Sequence, residues 1–249
     1  MPGYKTFSKQ TQNDFLFLIE KGLQPNHYFL DVGCGGGRIA YHAIEYLDKH
    51  RYFAFDKENN MIDPFMEELQ NHPKLLGKEP IVYLSDFNIS FNEDIKFDFI
   101  YAHSVFTHVT PELITEFMIN LKKHFSKGTK FFATFHLGSK GCDIGAKHGE
   151  RENEFEGVWY SIEYLTDIMS GLGFQTEFIG TDTENWENVK RTLYSPNSEN
   201  IDYLNVDPQK RFTPYAVSPD MLPEGYEYTH GQHHEMILIT KAKEWIAPL

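Results

Sequence analysis

Residues 28–40, Tyr-Phe-Leu-Asp-Val-Gly-Cys-Gly-Gly-Gly-Arg-Ile-Ala, constrain the fold more than any other stretch of the chain. Tyr28, Phe29, Leu30 and Val32 predict a short buried strand broken by a single acid, Asp31. The glycines at 33, 35 and 37 end that strand, and Arg38-Ile39-Ala40 opens a helical pattern that continues through Ile44 and Leu47. Glycine takes positive φ readily and lacks the Cβ that would hold a ligand away from the backbone. The free N–H groups of a helix start add a preference for an anion. Strand, glycine turn and helix therefore predict one wall of a ligand pocket.

The rest of the chain extends this unit. A helix capped by Asn13 or Asp14 precedes it, with Phe15, Leu18 and Ile19 on one face, ending at Gly22 and Pro25. Tyr52–Asp56 predicts a second strand, and Glu58–Leu69 a helix burying Met61, Ile62, Phe65, Met66 and Leu69. Strands at Pro80–Leu84, Phe97–Ala102 and Lys130–Phe135 follow, with a helix from Thr110-Pro111 that buries Leu113, Phe117, Leu121 and Phe125. Alternation at this spacing predicts βαβ units in a parallel sheet. Residues 137–158 are glycine-rich, charged and without period, and predict an irregular loop. A helix over Tyr160–Leu172, a strand over Gly173–Gly180 and a final strand over His234–Thr240 complete the pattern. Between them, 181–231 is a long Asn/Asp/Pro-rich stretch with scattered aromatics, and loops of that length usually have a function of their own.

Charge and composition remove several function classes. A net charge of −13 repels phosphate backbones, and no basic run offers a segregated face, so nucleic acid is a poor partner. No apolar run is long enough to cross a bilayer, and Met1–Lys5 lacks a signal-peptide core. Cys34 and Cys142 are expected to be free thiols in a cytoplasmic protein.

The turn itself excludes two ligand types. The dinucleotide fingerprint wants glycine where Arg38 stands, and no Gly-Lys-Ser/Thr sequence follows to make a phosphate loop. With Asp31 two residues ahead of Gly33, the Asp-x-Gly-x-Gly-x-Gly spacing resembles motif I of class I S-adenosylmethionine (SAM)-dependent methyltransferases. The resemblance continues in order over residues 28–136 and does not cover 181–231. It implies a Rossmann-like, doubly wound α/β sheet of about seven strands, the last antiparallel, in a single domain over 1–249. The two irregular stretches would then be insertions serving as a substrate cap or lid. By the same resemblance Asp56, with Lys57 beside it, would hold the ribose hydroxyls, and Met61 would pack on adenine. Asp86 and Phe87 would contact the adenine amino group and face, while Ala102 and His103 would reach the methionine moiety. Asp31, Gly33, Gly35, Gly37 and Arg38 would surround the aminocarboxypropyl end, with the amides near Gly35 and Gly37 facing the ligand. Each has a plainer reading: Asp56 and Asp86 are good capping or turn residues, and Met61 and Phe87 are ordinary core residues.

Methyl transfer from a sulfonium needs alignment and, for a hydroxyl acceptor, a base. His103, His108 and His136 fall after strands four and five, where open α/β sheets place their ligand crevice, and are the catalytic candidates. Structural hydrogen bonding is the alternative for each. His230, His233, His234 and Glu235 match no zinc spacing, so no metal is expected. The signatures of amino-methylating and cytosine-methylating nucleic-acid enzymes are absent, and Ala102-His103 replaces the acid of metal-assisted catechol transfer. The resulting expectation is methyl transfer from SAM to a hydroxyl or amine of a small polar metabolite, such as a sugar. The competing readings are a nicotinamide-dependent oxidoreductase and a SAM-binding protein that is non-catalytic or methylates a protein.

Overall fold

The apolar run before the glycines forms the middle of the sheet. β1 (Phe29–Val32) is buried along its length between β2 (Tyr52–Asp56) and β4 (Phe97–Ala102), parallel to both. Asp31 stands opposite Ala54 on one side and Tyr101 on the other. The computed structural model describes residues 12–87, 89, 91–138, 141–146, 157–181 and 235–242. β3 (Ile81–Leu84) closes one edge beyond β2, exposing Tyr83 and Leu84. On the other side β5 (Phe125–Leu137) runs parallel to β4. β9 (Glu235–Lys241) then lies antiparallel between β5 and β8 (Phe174–Thr181). The central order is thus β3-β2-β1-β4-β5-β9-β8, the Rossmann-like sheet the pattern predicts.

Both faces are covered, which makes the sheet doubly wound. α1 (Gln12–Glu20), α2 (Ala40–Tyr46), α3 (Asn59–Gln70) and the short α4 (Pro73–Leu76) share one core with Phe29, Tyr52, Tyr101 and Phe132. α5 (Pro111–Leu121) and α6 (Ile162–Gly171) share the other with Phe53, Phe97, Phe106, Phe131 and Phe135. Among the described residues no helix is long and apolar enough to cross a membrane.

Five local expectations change. α1 buries Phe15, Leu16, Phe17 and Leu18 rather than one stripe, because Tyr46 covers Phe15 and Phe132 covers Phe17. Asp14 lies inside that helix and does not cap it. In α5 the buried positions are Ile114, Phe117, Met118 and Leu121, and Leu113 is 44% exposed. Phe125 belongs to β5, since a single 3₁₀ turn at Lys122–His124 redirects the chain first.

The fifth change is the largest. Residues 137–158 contain β6 (Cys142–Ala146) and the first half of β7 (Gly157–Tyr160), an antiparallel pair. β7 also continues the sheet from the end of β5, pairing His136 with Trp159 and Leu137 with Tyr160. Cys-Asp-Ile-Gly-Ala has no alternating apolar face, and Ile144 points to solvent, so backbone pairing rather than burial holds β6 and leaves no periodic signal. Tyr160 therefore ends a strand instead of starting a helix, and Ser161 caps α6 by accepting the Tyr164 N–H. Of the stretch 181–231, only Thr181 is described; the rest, with His230, His233 and His234, lies outside the described residues.

Candidate active site

The C-terminal ends of β1, β2 and β4 meet at the glycine turn. Gly33, Gly35 and Gly37 all take positive φ, at 62°, 53° and 78°. Packing, rather than ligand approach, explains two of them. A Cβ on Gly33 would stand 2.5 Å from Val105 Cγ2, and one on Gly37 would stand 2.6 Å from Phe65 Cδ2. At Gly35 the nearest atom to such a Cβ is Met61 Cε at 3.3 Å, so Met61 lies over the turn.

The amides are also used differently from the expectation that they face a ligand. Gly35 N–H donates to Asp56 Oδ2 at 2.8 Å, and Gly37 N–H to the Cys34 carbonyl at 2.9 Å. Cys34 N–H donates to the Phe55 carbonyl. The other Asp56 oxygen accepts the Glu58 N–H at 3.0 Å. Asp56 thus ties the turn to the start of α3, and each carboxylate oxygen keeps a second acceptor position. Lys57 next to it is exposed, with its ammonium 3.7 Å from Glu58.

Two further acids converge here. Asp14 of α1, only 3% exposed, pairs with Arg38 at 2.7 Å, which ties α1 to the end of the turn. Asp31, 5% exposed, accepts the Tyr52 hydroxyl at 2.8 Å. Among the described residues that is the one hydrogen bond to its carboxylate. Burial raises Asp31 to about 7; the Tyr52 bond opposes the rise, and Asp56 and Asp14 add to it. Burial likewise pushes the Cys34 thiol up, so Cys34 fills space and is no nucleophile.

On the far side of β1, Ala102 is fully buried and registers with Ala133, while half-buried His103 sits with its ring 6.1 Å from Tyr101. Ser104 takes φ 59°, and its N–H donates to the buried Thr134 hydroxyl at 2.7 Å. That left-handed residue turns the chain so that Val105 falls on Gly33. His108 is exposed on the following 3₁₀ turn (Phe106–His108). His136 stacks on Trp159 at 4.6 Å, and a Cβ on Gly157 would stand 3.1 Å from His136 Cδ2 and 3.2 Å from the Thr107 carbonyl. The Thr107 hydroxyl beside them is buried with no hydrogen-bond partner among the described residues. Tyr160 ties β7 to this turn by donating its hydroxyl to the Val109 carbonyl. Asp86 is exposed beyond β3, and half-buried Phe87 packs on Phe117 and Phe106 at 5.0 and 6.3 Å.

Alternation along registered strands places Asp31, Tyr101, His103, Thr134 and His136 on one face of the sheet. His108 is not part of that row. The tethers Tyr52–Asp31, Asp14–Arg38 and Ser104–Thr134 escaped the sequence reading. Only the first had a visible signal: Tyr52-x-Ala54 alternation places a small residue between the phenol and Asp31.

Residues 30–131 match the family model described as a methyltransferase domain. Among solved structures, the fold is similar to magnesium protoporphyrin IX methyltransferase (ChlM) from Synechocystis PCC 6803, at 11% identity and TM-score 0.53, over 93% of this chain and 80% of that one. It is similar to the glycopeptide N-methyltransferase MtfA at 9% identity and TM-score 0.57, over 94% and 91%. An S-adenosylmethionine-dependent methyltransferase from Clostridium acetobutylicum ATCC 824 matches at 12% identity and TM-score 0.53, over 94% and 92%. Residues 30–131 thus carry a methyltransferase-domain match, on a fold similar to that of solved SAM-dependent methyltransferases.

Proposed function

We propose that the chain transfers a methyl group from SAM to a hydroxyl or amine of a small polar acceptor. The observation that carries this is the buried Asp31 carboxylate with one hydrogen bond, beneath a glycine turn braced by Asp56. SAM fits such a site chemically, because it brings an ammonium and a sulfonium to a cluster of acids, and vicinal ribose hydroxyls to a carboxylate. Bound there, it supplies an electrophilic methyl group.

In this reading Asp31 faces the amino group of the donor, and Gly33, Gly35 and Gly37 shape the surface around its aminocarboxypropyl chain. Asp56 receives the ribose hydroxyls at its remaining acceptor positions, with Lys57 alongside. Met61 lies on the adenine ring, Asp86 takes its amino group and Phe87 borders its face. Ala102 and His103 line the path of the methyl group. Arg38 acts from behind the turn through Asp14 instead of touching the donor. His103 is the first candidate base, being half-buried at the end of β4 on the same face as Asp31. His136, stacked on Trp159, orients the acceptor, and exposed His108 is the weakest of the three.

The reading treats 1–249 as one cytoplasmic domain, with β6 and β7 on the acceptor side; the proposed cap over 182–231 lies outside the described residues. The small-molecule acceptor is supported by the acidic charge and by the catalysts of similar fold, which are named for a porphyrin and a glycopeptide. Thermal melting with S-adenosylhomocysteine and, separately, NAD tests the donor: a rise with the former alone is expected, and a rise with NAD alone overturns the reading. Labelled methyl transfer to a metabolite library then identifies the acceptor, with His103→Ala lowering turnover on a hydroxyl acceptor by about 10²- to 10⁴-fold.

A further inference from the structure

We infer that Tyr52 is a positioning residue for donor binding: its hydroxyl holds and orients the Asp31 carboxylate that receives the donor's cationic end. The inference rests on the SAM reading above. Tyr52 begins β2, two residues before the position that faces Asp31, and its ring lies along Phe29 at 6.0 Å. Ala54, directly opposite Asp31, has no side chain beyond Cβ, so the phenol passes over it and reaches Asp31 Oδ2. Tyr52 is 2% exposed and Asp31 5%. The bond is thus made where water competes little, and a charge-assisted bond there is strong.

The surroundings show why the carboxylate needs this donor. From the strands, Asp56 faces it with negative charge, and Tyr101 of β4 stands opposite it in register, carrying His103 above. From α1 comes Asp14, whose charge Arg38 offsets; from the turn comes the Cys34 thiol, raised by burial and held neutral. Tyr52 is itself pushed further up by burial and by Asp31, so it donates and does not ionise. Of the groups acting on Asp31, the Tyr52 hydroxyl is the one that favours the charged form. A carboxylate offers about four acceptor positions. The phenol occupies one and orients the rest, leaving an ammonium to complete the set.

The test is calorimetric binding of S-adenosylhomocysteine from pH 5.5 to 8.5 to the wild type, Tyr52→Phe and Asp31→Asn, each checked for folding by melting. In the wild type, affinity falls on acidification as Asp31 takes a proton. Tyr52→Phe keeps the ring packing and removes only the hydroxyl. Its profile is expected to shift upward by about one pH unit, giving roughly five- to tenfold weaker binding between pH 6 and 7 and near-convergence at the alkaline end. Asp31→Asn is expected to bind weakly with the pH-dependent step removed. A Tyr52→Phe profile that overlays the wild type, or one weakened equally at every pH, overturns the positioning role. Failure of the folded wild type to bind at any pH overturns the SAM reading instead.

Discussion

The two sides of the β1–β4 crevice are built by different means. On the side proposed for the donor the backbone is closed on itself: Asp56 takes the Gly35 and Glu58 amides, the Cys34 carbonyl takes the Gly37 amide, and Val105 and Phe65 occupy the spaces left by Gly33 and Gly37. On the side proposed for the acceptor, β7 joins β5 over two residue pairs, the Tyr160 hydroxyl bonds the Val109 carbonyl, and His136 stacks on Trp159. A buried Thr107 hydroxyl there lacks a partner among the described residues. The glycine-turn side is fixed by backbone geometry and a closed set of hydrogen bonds, and the β7 side by two strand pairs, one hydroxyl bond and side-chain packing.

Substitutions can break this contrast. Gly37→Ala forces a Cβ into Phe65 at positive φ, and is expected to cost about 4 kcal/mol, read as a fall in denaturant midpoint. Retention of full stability would mean the turn is looser than described. Asp56→Ala removes the acceptor for two amides and is expected to cost about 3 kcal/mol and to abolish the melting shift with S-adenosylhomocysteine. A preserved shift would remove Asp56 from the donor site.

Asp31 offers a change of opposite sign. Its carboxyl is raised from 3.8 to about 7, so the folded state holds a proton that the unfolded chain has lost, and stability falls as pH rises through that window. Asp31→Asn should therefore stabilise the protein by about 2 kcal/mol at pH 8, with little gain at pH 4, while weakening donor binding. Melting curves at the two pH values check the sign. The smallest effect is expected across the crevice, where Trp159→Ala should cost about 1 kcal/mol and leave S-adenosylhomocysteine affinity within about twofold. A large loss of donor affinity would show that the two sides are coupled.

This division also explains what the sequence revealed. Strands β1, β2 and β4 are read correctly because short buried apolar runs with a polar or glycine residue at their ends leave a pattern in one dimension. The order of acids at 31, 56 and 86 was equally legible. The tethers around them were not, because Tyr52, Arg38 and Thr134 meet Asp31, Asp14 and Ser104 through register across strands or through helix docking. The Gly35 and Gly37 amides pointed elsewhere than expected for the same reason: motif spacing fixes which residues turn, while Asp56 takes the Gly35 N–H and the Cys34 carbonyl takes that of Gly37. β6 and β7 left almost no trace, since pairing by backbone needs no particular side chain.

β9 has a consequence for how the chain comes to life. It fills the gap between β5 and β8, pairing Phe131 with Ile239 and Thr176 with the same Ile239, although more than fifty residues separate it from β8 along the chain. During synthesis, residues 125–181 emerge with two open strand edges and nothing to place between them. They wait for 235–241, with the facing backbone edges of β5 and β8 unpaired in the meantime. The vulnerable moment for this protein therefore falls late in translation, when a stall or a shortened chain would present those edges to other molecules.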